Sequence, residues 1–546
     1  MLRAFVVGDR ERSWWRLIPI LLFLVAFMPR IISLGAFVNP DAGHWVVRST
    51  KFMNALAEGI LVGTYQSDHP GVFAMWGFGI SMVLRHLMAG DLRSYLELAN
   101  RSGFGTRLDL ITTAAIFTVL VTSLSTVGVY LLARKVFGQR VALLGAILVA
   151  LDPFYIAHSR VIHLDAILSA CMILSTLMLI VYVTTSVGRG YLVGAGVLAG
   201  LGLLTKQFGL FMIPFAFLAL GVRYLLAARS PLDVVELKRF VLDLLLWGVV
   251  VVAVYVIVWP VMWRYPGEVL RVLVRNMMEK RWKPHGWGAF FWGEIVDDPG
   301  MLFYPVVILF RLTPVSLVLF LLSIGAFIGD LRRIKEGKTM AVALGLAYIL
   351  FFSWMAGLGP KKIDRYILPV FPMIDLLAAV GIARSARALG GLSWPWSAAL
   401  RKTSYRIAVG VVSLTPLFWI HTFPYYMNCF NPLVGGASMA VRTLTVGLGE
   451  GYDLAAKYLN EKSDSESLRV AVFYVESFAP FFRGTTIRLM EPGALDEADY
   501  VVLYINQVQR QILPEAIHRF QDREPEHVVR IGGIEYAWVY ENRERW

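Results

Sequence analysis

Apolar residues in this chain fall in long unbroken runs, and polar residues collect in the gaps between them. The runs lie near 14–34, 108–133, 141–157, 164–186, 190–204, 208–222, 241–263, 312–329, 340–358, 366–383 and 407–423. A helix needs about 20 residues to cross a hydrocarbon core of roughly 30 Å. Only helices or closed barrels satisfy their backbone groups in lipid, and unbroken runs rather than alternation predict helices. The pattern therefore predicts a polytopic α-helical membrane protein with about eleven spans. Residues 190–222 form one apolar stretch interrupted only at Thr205-Lys206-Gln207. As one helix it would reach about 50 Å, too long for a single crossing, so a hairpin with Lys206 at its outer tip is expected. Residues 71–90 are also apolar, but Arg85 and His86 break the run and point to a helix lying in the interface.

Past Pro424 the pattern shifts to short β-rich runs, at 468–475, 500–505 and 535–540, with helical segments such as 508–520 between them. That predicts a small soluble α/β domain over 424–546 behind a transmembrane domain over 1–423. No tandem repeat or low-complexity tract stands out.

Composition agrees with the class. The chain of 546 residues is 57% hydrophobic and 17% charged, with a mean hydropathy of +0.61, which excludes a soluble globular protein. A net charge of +13 raises nucleic acid as a partner. The basic residues flank apolar runs, however, where they orient helices and meet anionic head groups, so membrane lipids are expected and nucleic acid is not. Cys171 falls within a run and Cys429 after the last one, so neither a structural disulfide nor a metal-binding spacing is expected. Arg10, Arg12 and Arg16 before an apolar stretch mimic a signal peptide, but the continuation into a multispan body favours an uncleaved first helix.

Charge placement orders the spans. With a cytoplasmic N-terminus, the inner loops hold Arg134, Lys135 and Arg140; Arg189; Arg223, Arg229, Lys238 and Arg239; Arg332, Arg333, Lys335 and Lys338; and Arg384, Arg387, Arg401, Lys402 and Arg406. The first loop 35–107, a second large loop 264–311 and the C-terminal domain then lie outside a plasma membrane, although the segment 264–300 is itself basic. The same outer face collects Asp41, Asp68-His69-Pro70-Gly71, the segment from His158 to Asp165, Lys206, the 264–300 loop, and Lys361 to Arg365. Ionisable residues at span ends are costly to place in lipid and default to functional hypotheses. Plainer readings stand beside each: an acid at a helix start caps it, a lone lysine snorkels, and aromatic residues around His285 anchor in the interface.

The order of these segments resembles a known group. An outside acid in Asn39-Pro40-Asp41-Ala42-Gly43-His44-Trp45, then Ser159-Arg160-Val161-Ile162-His163-Leu164-Asp165-Ala166, Thr205-Lys206-Gln207-Phe208-Gly209, and Lys362-Ile363-Asp364-Arg365-Tyr366-Ile367-Leu368-Pro369 is similar to the protein O-mannosyltransferase and aminoarabinose-transferase group. These are GT-C-fold glycosyltransferases that use lipid phosphosugars. The similarity covers residues 14–423, and the tail from Tyr426-Met427-Asn428-Cys429 through Gly447-Leu448-Gly449-Glu450-Gly451 looks like those of prokaryotic members. Where members commonly carry Asp-Glu in the first loop, Ala42 follows Asp41 here, and Asp68 or Asp165 would have to supply the second acid.

The resemblance implies a polyprenyl-phosphate sugar donor, a hydroxyl acceptor on protein, lipid or glycan, and inversion by single displacement. It makes Asp41 the general base and suggests Lys206, Lys362 and Arg365 for the lipid phosphate, since both residue types recur in phosphate sites. Asp68, His69, Arg160, Asp165 and His285 are expected to support the site or touch substrate. Alternatives are an Arg160–Asp165 ion pair bracing the first loop, and a His69 that only caps the helix beginning near Val72. Arg311 has no assigned role, and Glu450 either makes a polar contact or sits in a tight turn. No metal-ligand motif is visible, so neither metal nor cofactor is expected. An oligosaccharide ligase or polymerase remains an alternative. So does a lipid transporter or flippase, although the polar residues cluster on one leaflet and no duplicated half is seen.

Overall fold

A computed structural model of the chain describes residues 2–98, 103–228, 233–280, 283–390, 409–410 and 412–542. Long helices form over the apolar runs, among them Leu2–Ile31, Leu108–Phe137, Asp165–Thr184, Val234–Val258 and Gly337–Gly357. Among the described residues, seven helical segments are long and apolar enough to cross a membrane. An eighth arises if Gln139–Leu151 and Pro153–Ser159, bent by 58°, form one span. The break falls at Asp152, whose carboxylate accepts the Tyr155 N–H at 2.6 Å and restarts the helix with proline in its first turn.

Residues 190–227 form the expected hairpin. Gly190–Thr205 and Met212–Ala227 are joined by a 3-10 turn over Gln207–Phe211, with Lys206 extended at the corner. Gly196 and Gly200, four residues apart, let Val234–Val258 approach closely: a Cβ at either would lie 2.9 Å from a valine side chain and 3.1 Å from a backbone oxygen. The run expected at 312–329 forms the helix Pro314–Gly329, and a separate short helix, Phe303–Arg311, stands before it within the segment 264–311 expected as a loop. Thr313 separates the two by capping the longer helix through the Ser316 N–H. The run 407–423 starts outside the described residues, as do Arg229, Arg401, Lys402 and Arg406. Its remainder forms the short helix Thr415–Trp419 and a 3-10 turn.

The helix Val72–Ala89 is apolar enough to span, yet both of its ends meet the same end of the bundle. The Gly71 N–H bonds to Thr205 O, at the close of one membrane helix, and Arg85 pairs with Asp109, at the start of another. Between these contacts, Phe73 and Phe78 pack against Phe117 of the helix Leu108–Phe137.

The C-terminal segment holds a five-stranded sheet. An earlier hairpin, β1 (Ala289–Phe291) and β2 (Glu294–Val296), belongs to the loop before Phe303. The sheet consists of β3 (Arg469–Val472), β4 (Thr485–Arg488), β5 (Tyr500–Tyr504), β6 (His527–Ile531) and β7 (Ile534–Glu541). Their order is β4-β3-β5-β7-β6, with β3 parallel to both β4 and β5 and the pairs β5–β7 and β6–β7 antiparallel. Strand periodicity divides the core. Val470, Val472, Val502 and Tyr504 join an apolar cluster continuous with the membrane body, while Ala471, Val501 and Leu503 pack with Phe520 on the other face. Cys171 and Cys429 are both buried and unpaired.

Candidate active site

Where the membrane helices meet the C-terminal domain there is a cavity of about 280 Å³. Its floor is the first loop with Asp41 and the segment Lys362 to Arg365; one wall is the loop from His285 to Ala289, and the roof comes from the C-terminal domain.

Asp41 stands at the start of the helix Ala42–Ala57, but its side chain caps nothing there. Instead its Oδ2 accepts the Arg365 Nη2 at 2.7 Å. The carboxylate stays 41% exposed, which leaves it open to a ligand. Burial alone would push its pKa up, but the Arg365 guanidinium outweighs this and holds it below the ordinary carboxylate value. Ala42 is 1% exposed and packs with Val38, Trp45 and Val46, so no acid faces the cavity at that position.

The second acid comes from elsewhere. Arg365 also lies 3.4 Å, through Nε, from Asp165 Oδ2. Asp165 in turn takes Lys206 Nζ at 2.5 Å, and that ammonium sits 3.9 Å over the Tyr366 ring. The hairpin corner thus delivers Lys206 behind Arg365 rather than onto the cavity wall. Two buried cations and two carboxylates form one network, and only Asp41 and Arg365 of it line the cavity. The Arg365 Nη1 is buried with no hydrogen-bond partner among the described residues, an N–H donor to spare in a site of opposite charges.

Lys362 lines the cavity, its ammonium bonded to Asp298 and to Gly359 O. His285 lines it from the loop before the helix Phe303–Arg311. Other expected residues lie elsewhere. Asp68 takes Asn276 Nδ2 at 2.6 Å, and Gln207 donates to its backbone oxygen, so it ties the first loop to the hairpin corner and to the helix Pro266–Lys280. His69 is exposed and is not among the residues that line the cavity. Arg160 does not pair with Asp165. It donates to the carbonyls of Pro29 and Ser33 at 3.2 and 2.6 Å, because Lys206 already occupies the acid, and so it braces the entry to the first loop by backbone contacts.

The C-terminal domain contributes more than the sequence suggested. From β3 the chain passes to β4 on one side and then crosses to β5 on the other, which makes the carboxyl ends of β3 and β5 a topological switch point, the usual crevice for ligands in open α/β sheets. Phe473 and Tyr474 follow β3, Asn506 and Arg510 follow β5, and all four line the cavity. Glu450 lines it too, its carboxylate accepting the Leu448 N–H at 2.5 Å, and burial raises its pKa. Arg311 pairs with Asp364 at 2.6 Å and donates to Met427 O, binding the membrane body to the tail. Among the described residues no three His, Cys, Asp or Glu side chains converge as metal ligands would.

The chain has relatives of two kinds. Residues 103–263 match the family model for dolichyl-phosphate-mannose-protein mannosyltransferases. No curated protein sequence matches. Among solved structures, ArnT from Cupriavidus metallidurans bound to undecaprenyl phosphate aligns at a TM-score of 0.50 and 16% identity, over 96% of this chain and 98% of that one. The archaeal oligosaccharyltransferase AglB from Archaeoglobus fulgidus, in complex with an inhibitory peptide and a dolichol-phosphate, aligns at 0.47 and 14%, over 91% of this chain and 70% of that one. The chain is thus a multi-pass integral membrane protein of the GT-C fold, similar over residues 103–263 to the dolichyl-phosphate-mannose-protein mannosyltransferases.

Proposed function

We propose that this protein is a membrane glycosyltransferase that moves a sugar, mannose being the first candidate, from a polyprenyl-phosphate donor to an acceptor hydroxyl. The cavity and C-terminal domain face the outside of the cell membrane. The observation that carries the reading is the Asp41–Arg365 pair in the cavity, a half-exposed carboxylate beside a guanidinium with an unused N–H. The names of the relatives add a donor class: ArnT was solved with undecaprenyl phosphate, and the matching family model is that of dolichyl-phosphate-mannose-dependent enzymes.

The chemistry follows from the donor. The acceptor oxygen attacks the anomeric carbon as the bond to the phosphate oxygen breaks, and the bonding electrons leave with the phosphate. Asp41 takes the acceptor proton, a contribution of roughly 10²–10⁴-fold. Arg365 and Lys362 stabilise the charge on the departing phosphate. One displacement inverts the anomeric centre, and no side chain is needed as a nucleophile.

Arg365 is central because it serves both groups. Without a donor it neutralises Asp41 and keeps it a weak base. A phosphate competes for the guanidinium, and as Arg365 turns toward the phosphate Asp41 regains basicity in the complex where a base is needed. Asp165 and Lys206 hold the other edge of the arginine in place. Binding of undecaprenyl phosphate to purified protein, followed by intrinsic tryptophan fluorescence, tests this. Arg365→Gln should weaken it about tenfold or more, as expected for one charge-assisted contact. Unchanged affinity would remove Arg365 from the phosphate site. Retention of anomeric configuration in the product would remove the single displacement.

A further inference from the structure

Arg510 comes from the C-terminal domain, just past the short helix Ile505–Gln509, and is 8% exposed. Its fork reaches across the cavity roof to the loop before the helix Phe303–Arg311. Nε and Nη2 donate to Gly288 O at 3.1 and 2.8 Å, Nη1 donates to Asn506 Oδ1 at 3.2 Å, and Nη2 lies 2.6 Å from His285 Nδ1. These partners are a carbonyl, an amide and an imidazole, so the arginine is not spent on neutralising an acid among them.

An arginine only donates, so His285 Nδ1 must accept. The Trp287 N–H, 3.4 Å from the same nitrogen, demands the same. In the neutral ring the proton then sits on Nε2. The loop carrying His285 lines the cavity together with Asp41, Lys362 and Arg365. We propose that Arg510 is a positioning residue that fixes His285 as the Nε2–H tautomer, so that the ring donates a hydrogen bond to an oxygen of the phosphosugar donor. The tautomer follows from the contacts alone, whereas the identity of the oxygen rests on the glycosyl-transfer reading.

The surroundings keep the ring uncharged. Burial acts first, and three cations add to it: Arg510 from the C-terminal domain, and Lys361 and Arg365 from the segment before the helix Phe371–Gly390. Together they push the His285 pKa down to about 4. Tyr474 and Asn506, which line the same cavity, bring no charge. A donor of one hydrogen bond that never titrates near neutral pH suits a donor oxygen whose own charge changes during transfer.

The test begins without substrate. Protein labelled with ¹⁵N-histidine and held in lipid nanodiscs gives a His285 signal that is assigned by its loss in His285→Gln. The wild type should show the Nε2–H tautomer and no titration above about pH 5. Arg510→Gln should mix the tautomers and move the titration toward the ordinary value near 6.5. A wild-type Nδ1–H tautomer, or an Arg510→Gln spectrum identical to wild type, overturns the proposal. The second arm is turnover with polyprenyl-phosphate mannose. Arg510→Gln should lose about tenfold in kcat and gain an acid limb between pH 5 and 7 that the wild type lacks, with partial rescue by Arg510→Lys. A lower kcat with an unchanged pH profile would make Arg510 a purely structural brace and overturn the proposal. A wild type that turns over no polyprenyl-phosphate donor while showing the expected tautomer overturns the proposed function and leaves the tautomer assignment standing.

Discussion

At the scale of single residues, the site turns on how Asp41 is held. An acid at a helix start ordinarily accepts a backbone N–H of the first turn, but Asp41 gives its carboxylate to Arg365 instead. The acid was legible in the sequence because it stands outside the first span among few other charges. Its partner was legible as a cation but not as a partner, since 324 residues separate the two. Lys206 shows the opposite case. Its position at a hairpin tip was readable, whereas its pairing with Asp165 depends on how two helix ends meet. The Asp41–Arg365 pair also fixes a pH dependence. Because the Asp41 pKa is lowered in the free protein, Asp41 stays ionised at neutral pH and is protonated only below the ordinary carboxylate range, near 4. When a phosphate draws Arg365 away, that pKa rises. The acid limb of kcat, which reports the complex, should therefore lie at higher pH than the acid limb of kcat/KM, which reports the free protein. Coincident limbs would mean that Arg365 does not leave Asp41.

At the scale of elements, two short segments bring distant parts together. The hairpin corner at Thr205 to Gln207 is tied to the first loop through Gly71 and Asp68. The Gly447–Gly451 loop does the same for the C-terminal domain. Gly449 has φ +107, and a Cβ there would lie 2.2 Å from the Val38 carbonyl of the first loop. Its N–H donates to Tyr504 OH at 2.8 Å, which holds the loop on the sheet. Only glycine combines that backbone with that approach. Gly449→Ala should therefore cost about 1–3 kcal/mol locally. Hydrogen exchange should rise together over 36–41 and 444–451, and a rise confined to 444–451 would show that the loop does not support Asp41. The glycines were visible in the sequence as a tight turn, but what they approach was not. Three of the five strands of the C-terminal sheet, β3, β5 and β7, were readable as short β-rich runs, as were most of the membrane helices, whereas β4 and β6 were not. Nor was the short helix Phe303–Arg311, because it lies within a segment that reads as a loop.

At the scale of the whole molecule, the C-terminal domain is a wall of the site rather than an appendage. One face of its sheet joins the apolar cluster of the membrane body, and the carboxyl ends of β3 and β5 close the cavity above Asp41. This explains why Tyr474, Asn506 and Arg510 escaped the sequence reading. Nothing local marks them, and their role depends on the strand order β4-β3-β5, which places two chain ends side by side. The fold class was readable from hydrophobic pattern because lipid imposes it on every span. The cavity was not, because it forms where loops from four parts of the chain meet. The account as a whole requires Asp41 to act on the acceptor and not on the donor lipid. Its most direct test is release of polyprenyl phosphate by purified protein given a polyprenyl-phosphate sugar and acceptor, compared between wild type and Asp41→Asn. Asp41→Asn should lose about 10²–10⁴-fold in turnover while still binding undecaprenyl phosphate and unfolding near the wild-type temperature. A folded Asp41→Asn protein that turns over at close to the wild-type rate would contradict it.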